Sequence, residues 1–352
     1  MDLPEPSFPV QGAVRVLLAR LLANGRTTDL LDRQLEWPVS AAMQHPMGRV
    51  GLHQWDRLFQ LAADALKQPA IAVELPLDHR NHPAHLLAHL AMSADTVLAG
   101  LRAWAEFASL HGDMDRVDIR LSGKLVHLSY AMLDVRWRSR WVCEYMVARL
   151  WSLIHALSDS RMLPQSILFS HAAPPHASAV EAAFRAPVRY AAGEDAVVFD
   201  AALLDRKVHG ADLYLHEILT DSARRLHRSQ TEAMPLGQQM VRAISARLLA
   251  GGDCNAPIIA EDLGLTLRQL RAALSAAGAT FRAVFDDVRR RAAVSYLSEG
   301  LDNARLAERL GFSEPSALQH AFQRWYGISV GAFTARLAAG TAGQQAQDSS
   351  TA

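Results

Sequence analysis

A seven-residue pattern occurs twice near the end of the chain, at residues 260–266 (AEDLGLT) and again at residues 307–313 (AERLGFS). Each copy has a small residue in a short helical segment, then Leu-Gly, an apolar residue and a hydroxyl residue. The glycine suits the left-handed turn that ends a helix, and Thr266 or Ser313 can cap the helix that follows. Helix, glycine turn and capped helix make a helix-turn-helix unit, so the repeat predicts two of them.

The second helix of such a unit enters the major groove of DNA, and its outward side chains contact bases and phosphates. In the second copy, Leu318, Phe322 and Trp325 fall on one face and are predicted to pack inward. Polar and amide side chains remain on the outward face, and Arg324 among them suits a phosphate or a guanine. The predicted DNA-contacting residues of this copy are Ser316, Gln319, His320, Gln323 and Arg324.

In the first copy, Leu270, Ala273 and Leu274 are predicted to pack inward. Thr266 and the glutamine three positions later form a capping-box pattern. Ala272 falls on the outward face, so the two arginines of this face have to supply most of its contacts. The predicted DNA-contacting residues of this copy are Arg268, Gln269, Arg271 and Ser275.

Between the copies, residues 281–297 (FRAVFDDVRRRAAVSYL) are typical of one continuous helix. Such a helix could hold the two units about one DNA turn apart, roughly 34 Å, on the same face of a duplex. The three consecutive arginines at 289–291 have two open interpretations, a phosphate clamp or a solvated helix face.

Residues 1–230 carry both helical and strand patterns. Apolar residues recur at helical spacing over residues 13–23, 55–67 and 85–110. Alternating apolar residues over 117–130 predict a hairpin that turns at Ser122–Lys124.

Further along, the pattern predicts a long helix at Trp141–Leu157, a strand at Ser166–Ser170 and a helix at Ala177–Phe184. A second strand pair is predicted at Pro187–Tyr190 and Ala196–Asp200, joined by a turn. The fold class is therefore α+β for the N-terminal domain, with a small, largely antiparallel sheet and helices. The C-terminal domain is predicted to be all-α, with two helix-turn-helix units joined by a long helix.

The polar, aperiodic stretch Arg224–Met234, followed by Pro235, predicts a linker, which we bound at residues 231–235. The predicted domains are then residues 1–230 and residues 236–339, the second of which is the DNA-binding domain. The tail at 340–352, mostly Gly, Ala, Gln, Ser and Thr, is predicted to be disordered.

Composition excludes some classes of protein. The formal net charge is zero, so charge alone indicates neither a nucleic-acid nor a membrane partner. The two cysteines lack metal-ligand spacing, and no apolar run approaches the roughly 18 residues that a membrane span needs. We expect a cytoplasmic protein in a reducing compartment, without a membrane span.

The C-terminal region resembles the AraC/XylS family of bacterial regulators. The residues that carry the resemblance are Arg289–Leu297, the segment Leu306–Gly327 (LAERLGFSEPSALQHAFQRWYG), the adjoining Ile328-Ser329, and Phe333. The resemblance implies a DNA-binding domain with two helix-turn-helix units, usually in an activator that contacts RNA polymerase. This chain departs from the common family pattern at Leu318, Ala272, His320 and Val330.

The N-terminal region has a looser likeness. Phe184–Tyr190, Ala196–Asp200 and Leu203–Asp205 resemble family members with an arabinose-binding-type sensor domain. The resemblance implies an unknown small-molecule effector and a homodimer. The alternative is a regulator controlled by a protein partner or by its expression level, with no small-molecule ligand.

Two other clusters of side chains in the sequence have both a ligand-binding and an ordinary structural interpretation. His79, His82, His85 and His89 could suggest a metal or haem site, although no cysteine and no suitably spaced acidic residue accompanies them. We favour a solvated turn and helix start, and expect no metal and no cofactor.

Trp137 and Trp141, with arginines at 136, 138 and 140 between and beside them, fit either an anion pocket or a strand-to-helix junction. No nucleophile elbow, P-loop, zincin or dinucleotide motif is present in the sequence. We therefore expect no catalytic residues and no enzymatic activity.

Overall fold

The computed structural model describes residues 5–10, 12–40, 48–78, 86–132, 137–159, 162–249, 251–298 and 301–335. Contacts between Cα atoms divide these residues into two units. We call residues 5–233 the N-terminal unit and residues 234–335 the C-terminal unit.

The N-terminal unit combines helices with two sheets. Its helices are α1 (Ala13–Ala23), α2 (Thr28–Leu35), α3 (Leu52–Leu66), α4 (Ile71–Leu77), α5 (Leu86–Met92), α6 (Val97–Glu106), α7 (Arg140–Ser158), α8 (Ala177–Phe184) and α9 (Leu213–Ala233). Its strands are β1 (Ser7–Pro9), β2 (Arg49–Gly51), β3 (Asp115–Ser122), β4 (Leu125–Met132), β5 (Ser166–Leu168), β6 (Val188–Arg189) and β7 (Asp195–Asp200). Short 3₁₀ helices lie at Ala108–Leu110 and Ala201–Leu203.

The larger sheet has the strand order β3-β4-β7-β5-β6, and β1 pairs with β2 in a separate two-stranded ribbon. The predicted hairpin is confirmed, since β3 and β4 pair antiparallel from Asp115↔Met132 to Ser122↔Leu125. Alternate side chains of β4 are buried, as expected for a strand with one face against the core.

The predicted second strand pair is wrong. β6 and β7 are not neighbours, because β5 lies between them and pairs antiparallel with β7 and parallel with β6. Helix α8 connects β5 to β6, which is the crossover that a parallel pair requires. The sheet is therefore antiparallel except at this edge.

Helix α7 lies at the centre of the N-terminal unit and confirms the long helix predicted there. Nearly all of its side chains are buried, including the polar Glu144, Arg149 and Ser152. A helix that is buried on every side has no solvent-facing stripe, and α7 packs against α4, β4 and β7.

Two helix predictions for this unit need correction. The pattern at 85–110 spans two helices, α5 and α6, and Thr96 caps the second by accepting from Ala99 N at 3.2 Å. The stretch Arg224–Met234, interpreted as a linker, continues α9 to Ala233. Residues such as Arg, Leu, Gln, Glu and Ala favour a helix even without an apolar stripe, and an Asp221–Arg225 ion pair one turn apart adds support.

The C-terminal unit is helical over its described residues. Its helices are α10 (Leu236–Leu249), α11 (Ala256–Asp262), α12 (Leu267–Ala276), α13 (Phe281–Ser298), α14 (Asn303–Arg309) and α15 (Pro315–Tyr326). The second half of α13 shares one apolar cluster with α14 and α15, centred on Leu306, Leu318 and Phe322, each fully buried. Helix α13 also packs against α10, so it contacts both an earlier and a later helix of this unit.

In the described part of the chain, no helix is long and apolar enough to cross a membrane. Three of the four clustered histidines, His79, His82 and His85, lie outside the described residues, and so does the predicted disordered tail. The fourth, His89, is exposed on α5.

Candidate nucleic-acid interface

The first repeat copy forms the helix pair α11 and α12. Gly264 lies between them at φ +65°, a left-handed conformation that favours glycine. The turn is closed by Leu265 N, which donates to Ala260 O at 2.8 Å. Both helices are capped, α11 by Asn255 Oδ1, which accepts from Ile258 N at 3.1 Å, and α12 by Thr266.

The cap of α12 is the predicted capping box. Thr266 Oγ1 accepts from Gln269 N at 3.3 Å, and Gln269 Oε1 accepts from Thr266 N at 2.8 Å. The carbonyl oxygen of Gln269 is therefore used inside the protein, and only its amide NH₂ is left to face a ligand.

The faces of α12 agree with the predicted pattern. Leu270 and Leu274 are buried, and Ala273 is half-buried. The predicted contact residues are all exposed on the opposite side, namely Arg268, Gln269, Arg271 and Ser275. The two arginines are therefore the only charged side chains among the predicted contact residues of this helix.

The second repeat copy forms the helix pair α14 and α15, with Gly311 at φ +67° between them. Phe312 N donates to Ala307 O at 2.9 Å and closes this turn in the same way as the first. Asp302 caps α14 by accepting from Ala304 N at 3.0 Å and Arg305 N at 2.9 Å. The two turns therefore share their backbone geometry.

The prediction that Ser313 caps α15 is wrong. The N-cap is Glu314, whose backbone is extended (φ −146°, ψ 147°) and whose side chain makes no capping bond. Pro315 at the start of α15 explains the change, because proline disfavours a helical conformation in the residue before it and has no N–H to be capped.

The inward face of α15 is confirmed for Leu318 and Phe322, which are fully buried, while Trp325 is only half-buried. Phe322 packs against Tyr326 and Phe333, with ring centroids 4.7 and 5.3 Å apart. On the opposite side the predicted contact residues are exposed or, for Gln319, half-buried: Ser316, Gln319, His320, Gln323 and Arg324.

Three of these five outward side chains have partners within the protein. Ser316 Oγ donates to Glu314 Oε2 at 3.0 Å, and Gln323 Nε2 donates to Gly327 O at 2.9 Å. Arg324 forms an ion pair with Asp286 of α13, with an N–O distance of 2.9 Å. Gln319 and His320 make no hydrogen bond or ion pair with any described residue, so their polar groups are available to a ligand.

The three arginines at 289–291 all have partners within the protein. Arg290 and Arg291 both pair with Asp287 on their own helix. Burial alone would raise the pKa of Asp287. Hydrogen bonds from these two arginines outweigh burial and hold the pKa below its ordinary value. Arg289 instead contacts the turn of the second helix pair, donating to Gly311 O at 2.6 Å.

The N-terminal unit contains a buried polar cluster that the sequence pattern did not predict. Glu144 on α7 is fully buried beside Arg140, whose Nη1 lies 3.3 Å from Glu144 Oε1, and beside His171, whose Nε2 lies 3.6 Å from the same oxygen. Arg140 also contacts His176 Nε2 at 2.9 Å, and its Cζ lies 4.0 Å from the ring centroid of Trp141.

Burial raises the pKa of Glu144 to about 7, against the opposing effect of Arg140. Burial also lowers the pKa of His171. One signal in the sequence marked this cluster, because Glu144 is the lone carboxylate in a mainly apolar helix.

The arginines near Trp137 and Trp141 are bound to carboxylates of the protein, which favours the junction over an anion pocket. Arg138 pairs with the buried Asp195 at 2.8 Å, and Ser170 donates to the same carboxylate from its backbone and its hydroxyl. The arginine at 136 lies outside the described residues.

Two family models match this chain. Residues 39–208 match the arabinose-binding domain found at the N-terminus of AraC transcription regulators. Residues 259–336 match a helix-turn-helix domain.

Curated relatives of the chain are transcription regulators rather than enzymes. The HTH-type transcriptional regulator VirS of Mycobacterium tuberculosis is 27% identical over 187 residues, which are 53% of this chain and 54% of VirS. An uncharacterized HTH-type transcriptional regulator of the same species is 37% identical over 79 residues, 22% of this chain and 23% of that protein. The ornithine utilization regulator of Pseudomonas aeruginosa is 41% identical over 69 residues, 19% of this chain and 20% of that protein. The chain thus spans about half the length of VirS and less of the other two.

Proposed function

Because the chain is homologous to AraC-type transcription regulators in both its N-terminal and its C-terminal region, we propose that it regulates transcription by binding specific double-stranded DNA. The DNA-binding part is residues 236–339, and its two helix pairs act as two helix-turn-helix units. We call α12 the first reader helix and α15 the second reader helix.

The observation that carries this proposal is the matched pair of reader helices. Each follows a glycine turn with positive φ, buries an apolar face and exposes polar side chains on the other. A helix presented in this way is the element that enters the major groove.

The side chains divide by chemistry. Arg268 and Arg271 of the first reader helix suit phosphates or guanine, since arginine is the commonest reader of guanine. Gln319 and His320 of the second suit base edges, because no described residue occupies their polar groups. Gln269, Ser275, Ser316, Gln323 and Arg324 complete the proposed contact set.

Helix α13 joins the two helix pairs along the chain. Its 18 residues correspond to about 27 Å of helix. This length is of the same order as the roughly 34 Å between successive major-groove faces on one side of DNA. The two reader helices are therefore proposed to enter successive major grooves on one face.

We assign sensing and dimerisation to residues 1–230, joined to the DNA-binding part through residues 231–235. The match to an arabinose-binding domain supports a small-molecule effector that alters DNA binding, and a coupling of about 1–3 kcal/mol would suffice for a switch. The effector's identity is open. Thermal stabilisation of the full chain by one member of a metabolite panel would favour this mode, whereas its absence would favour control by a protein partner or by expression level.

A homodimer is supported by the exposed apolar side chains of α9. Leu213, Tyr214 and Ile218 are 65%, 76% and 45% exposed and lie within two turns of that helix. An apolar surface of this kind marks an interaction site. We further propose that the dimer acts in the cytoplasm as an activator that contacts RNA polymerase. Equilibrium sedimentation tests the dimer, and in vitro transcription tests activation.

DNA binding is tested by selecting sites from random duplexes with the full chain and then titrating the selected site by fluorescence anisotropy. Gln319→Ala and His320→Ala should each relax base preference at one position, at about 1–3 kcal/mol. Gln60→Ala, at an exposed glutamine of the N-terminal unit, serves as the matched control. The assignment would be refuted if either variant weakened binding equally on every DNA sequence. It would also be refuted if the parent chain lost selected and scrambled DNA equally as the salt concentration rises.

A further inference from the structure

The side chain of Arg289 on α13 lies between two aromatic rings. Its guanidinium carbon is 3.9 Å from the ring centroid of Phe285, one turn earlier on the same helix, and 4.2 Å from that of Phe312. Phe312 belongs to the turn that precedes the second reader helix. The guanidinium group of Arg289 therefore connects α13 to that turn by contacting one ring on each side.

The edge of the same guanidinium contacts the backbone of the turn. Arg289 Nη2 donates to Gly311 O at 2.6 Å. A Cβ at Gly311 would lie 3.4 Å from Arg289 Nη2 and 3.5 Å from Leu248 Cδ2 on α10. The turn is thus packed closely against α13 and against a helix that precedes the first reader helix.

The neighbouring carboxylates of α13 are engaged elsewhere. Asp287 pairs with Arg290 and Arg291, and Asp286 pairs with Arg324. Burial lowers the pKa of Arg289, and the charge of Asp286 acts in the opposite direction. Stacking and a directed donor hold Arg289, and lysine cannot reproduce this combination because it lacks a planar head group.

Two further contacts join the far end of the second reader helix to α13. Arg324 pairs with Asp286 at 2.9 Å, and Tyr326 Oη donates to Arg290 O at 2.7 Å. With Arg289 at the turn, both ends of the second reader helix are attached to the helix that joins the two repeat copies.

We propose that Arg289 is a positioning residue for DNA recognition. It fixes the turn before the second reader helix against α13 and so sets how that reader helix stands relative to the first. The proposal rests on the proposed function, because it concerns the geometry of DNA binding.

Arg289→Lys is the test, with Arg282→Lys at an exposed arginine of the same helix as the matched control. The full chain is titrated against the selected site, against the same site with one base pair inserted between its halves, and against the second half alone. Two correctly spaced readers bind together more tightly than either alone. We expect Arg289→Lys to weaken binding to the selected site on the order of tenfold. The Arg289→Lys protein should lose less affinity than the parent when the base pair is inserted. Its affinity for the half-site should equal the parent's.

A residue that merely stabilised the fold would lower binding to all three duplexes in proportion to the folded fraction, and cooling would restore it. That result would overturn the proposal, as would an Arg289→Lys protein with the parent's affinities and spacing preference. If Arg289→Lys does not fold, Phe312→Leu is the second test, because it removes one of the two stacking rings. This variant must then reduce the difference in affinity between the selected site and the site with the inserted base pair. A parent chain that selects no site would refute the proposed function itself, and this proposal with it.

Discussion

Replacing Glu144 by glutamine should remove a pH dependence from the stability of the N-terminal unit. The Glu144 side chain is fully buried, and its contacts with Arg140 and His171, at 3.3 and 3.6 Å, are long. His171 Nδ1 lies 2.9 Å from Ala172 O, an acceptor, so the ring proton is on Nδ1 and Nε2 is a bare acceptor facing Glu144. A protonated carboxyl, or a glutamine amide, can donate to that nitrogen.

The magnitude follows from the pKa of Glu144, which burial raises from the ordinary 4.5 to about 7. A tenfold change in proton affinity corresponds to about 1.4 kcal/mol, so the protonated form is favoured in the folded state by about 3 kcal/mol. Between about pH 4.5 and 7 the folded state holds this proton and the unfolded state does not. The free energy of unfolding therefore falls as the pH rises, and the contribution is lost above about pH 7.

Glutamine keeps the shape of the protonated side chain and does not titrate. The Glu144→Gln protein should match the parent near pH 4.5 and exceed its stability by about 3 kcal/mol at pH 8. Burial also raises the pKa of Asp56 to about 6, which gives both proteins a pH dependence of the same sign. The difference between the two proteins therefore excludes the contribution of Asp56.

The assay is urea unfolding of the full chain from pH 5 to 8, followed by tryptophan fluorescence. Of the seven tryptophans, Trp325 alone belongs to the C-terminal unit, so the signal reports chiefly on the N-terminal unit. Glu181→Gln, at an exposed glutamate of α8, is the matched control. A Glu144→Gln protein that differs from the parent by the same amount at every pH, or is less stable at pH 8, would show that the reasoning is wrong.

The two helix pairs offer further predictions. Thr266→Ala removes a complete capping box and should cost about 1 kcal/mol, whereas Ser313→Ala should be near neutral because Glu314 holds the N-cap position. Phe322→Ala should cost about 3–5 kcal/mol, and Trp325→Ala should cost less because that indole is only half-buried. Amide hydrogen exchange over α12 and α15 in the full chain measures all four, and equal effects within either pair would contradict the structure.

The repeat was the part of the fold that the sequence predicted best, because its signals are local. A glycine between two short apolar helices and a hydroxyl residue after it act within a few residues of each other. The one failure within the repeat was local too. Pro315 displaced the cap from Ser313 to Glu314, and the same rule about proline could have predicted this from the sequence.

The sheet was predicted less well, because strand pairing depends on residues far apart in the chain. Alternation at 187–200 predicted two strands, and the turn between them suggested a pair. β5 lies between the two strands instead, through hydrogen bonds to residues more than 20 positions away. No local pattern in either strand encodes that neighbour.

The faces of the reader helices followed from helical spacing, while the partners of their side chains did not. Spacing placed Gln323 and Arg324 outward, and both are exposed. It could not predict that Gln323 donates to Gly327 O or that Arg324 meets Asp286 from a helix more than 35 residues earlier. The Arg324–Asp286 pair depends on how α13 crosses α15, whereas the Gln323 bond to Gly327 O forms within the last turn of α15.

The contacts that Arg324 and Arg289 make within the protein differ in how easily DNA could replace them. The Arg324–Asp286 pair is 54% and 26% exposed, and an ion pair in such surroundings contributes at most about 1 kcal/mol. A DNA phosphate can therefore take Arg324 from Asp286 at little cost. Arg289 lies against two rings and a carbonyl, so removing it would leave the Gly311 carbonyl without this donor and two rings without their stacked guanidinium. On this argument, the contact of Arg289 at the turn persists on DNA, whereas the Arg324–Asp286 ion pair at the far end of the second reader helix is one that DNA can exchange.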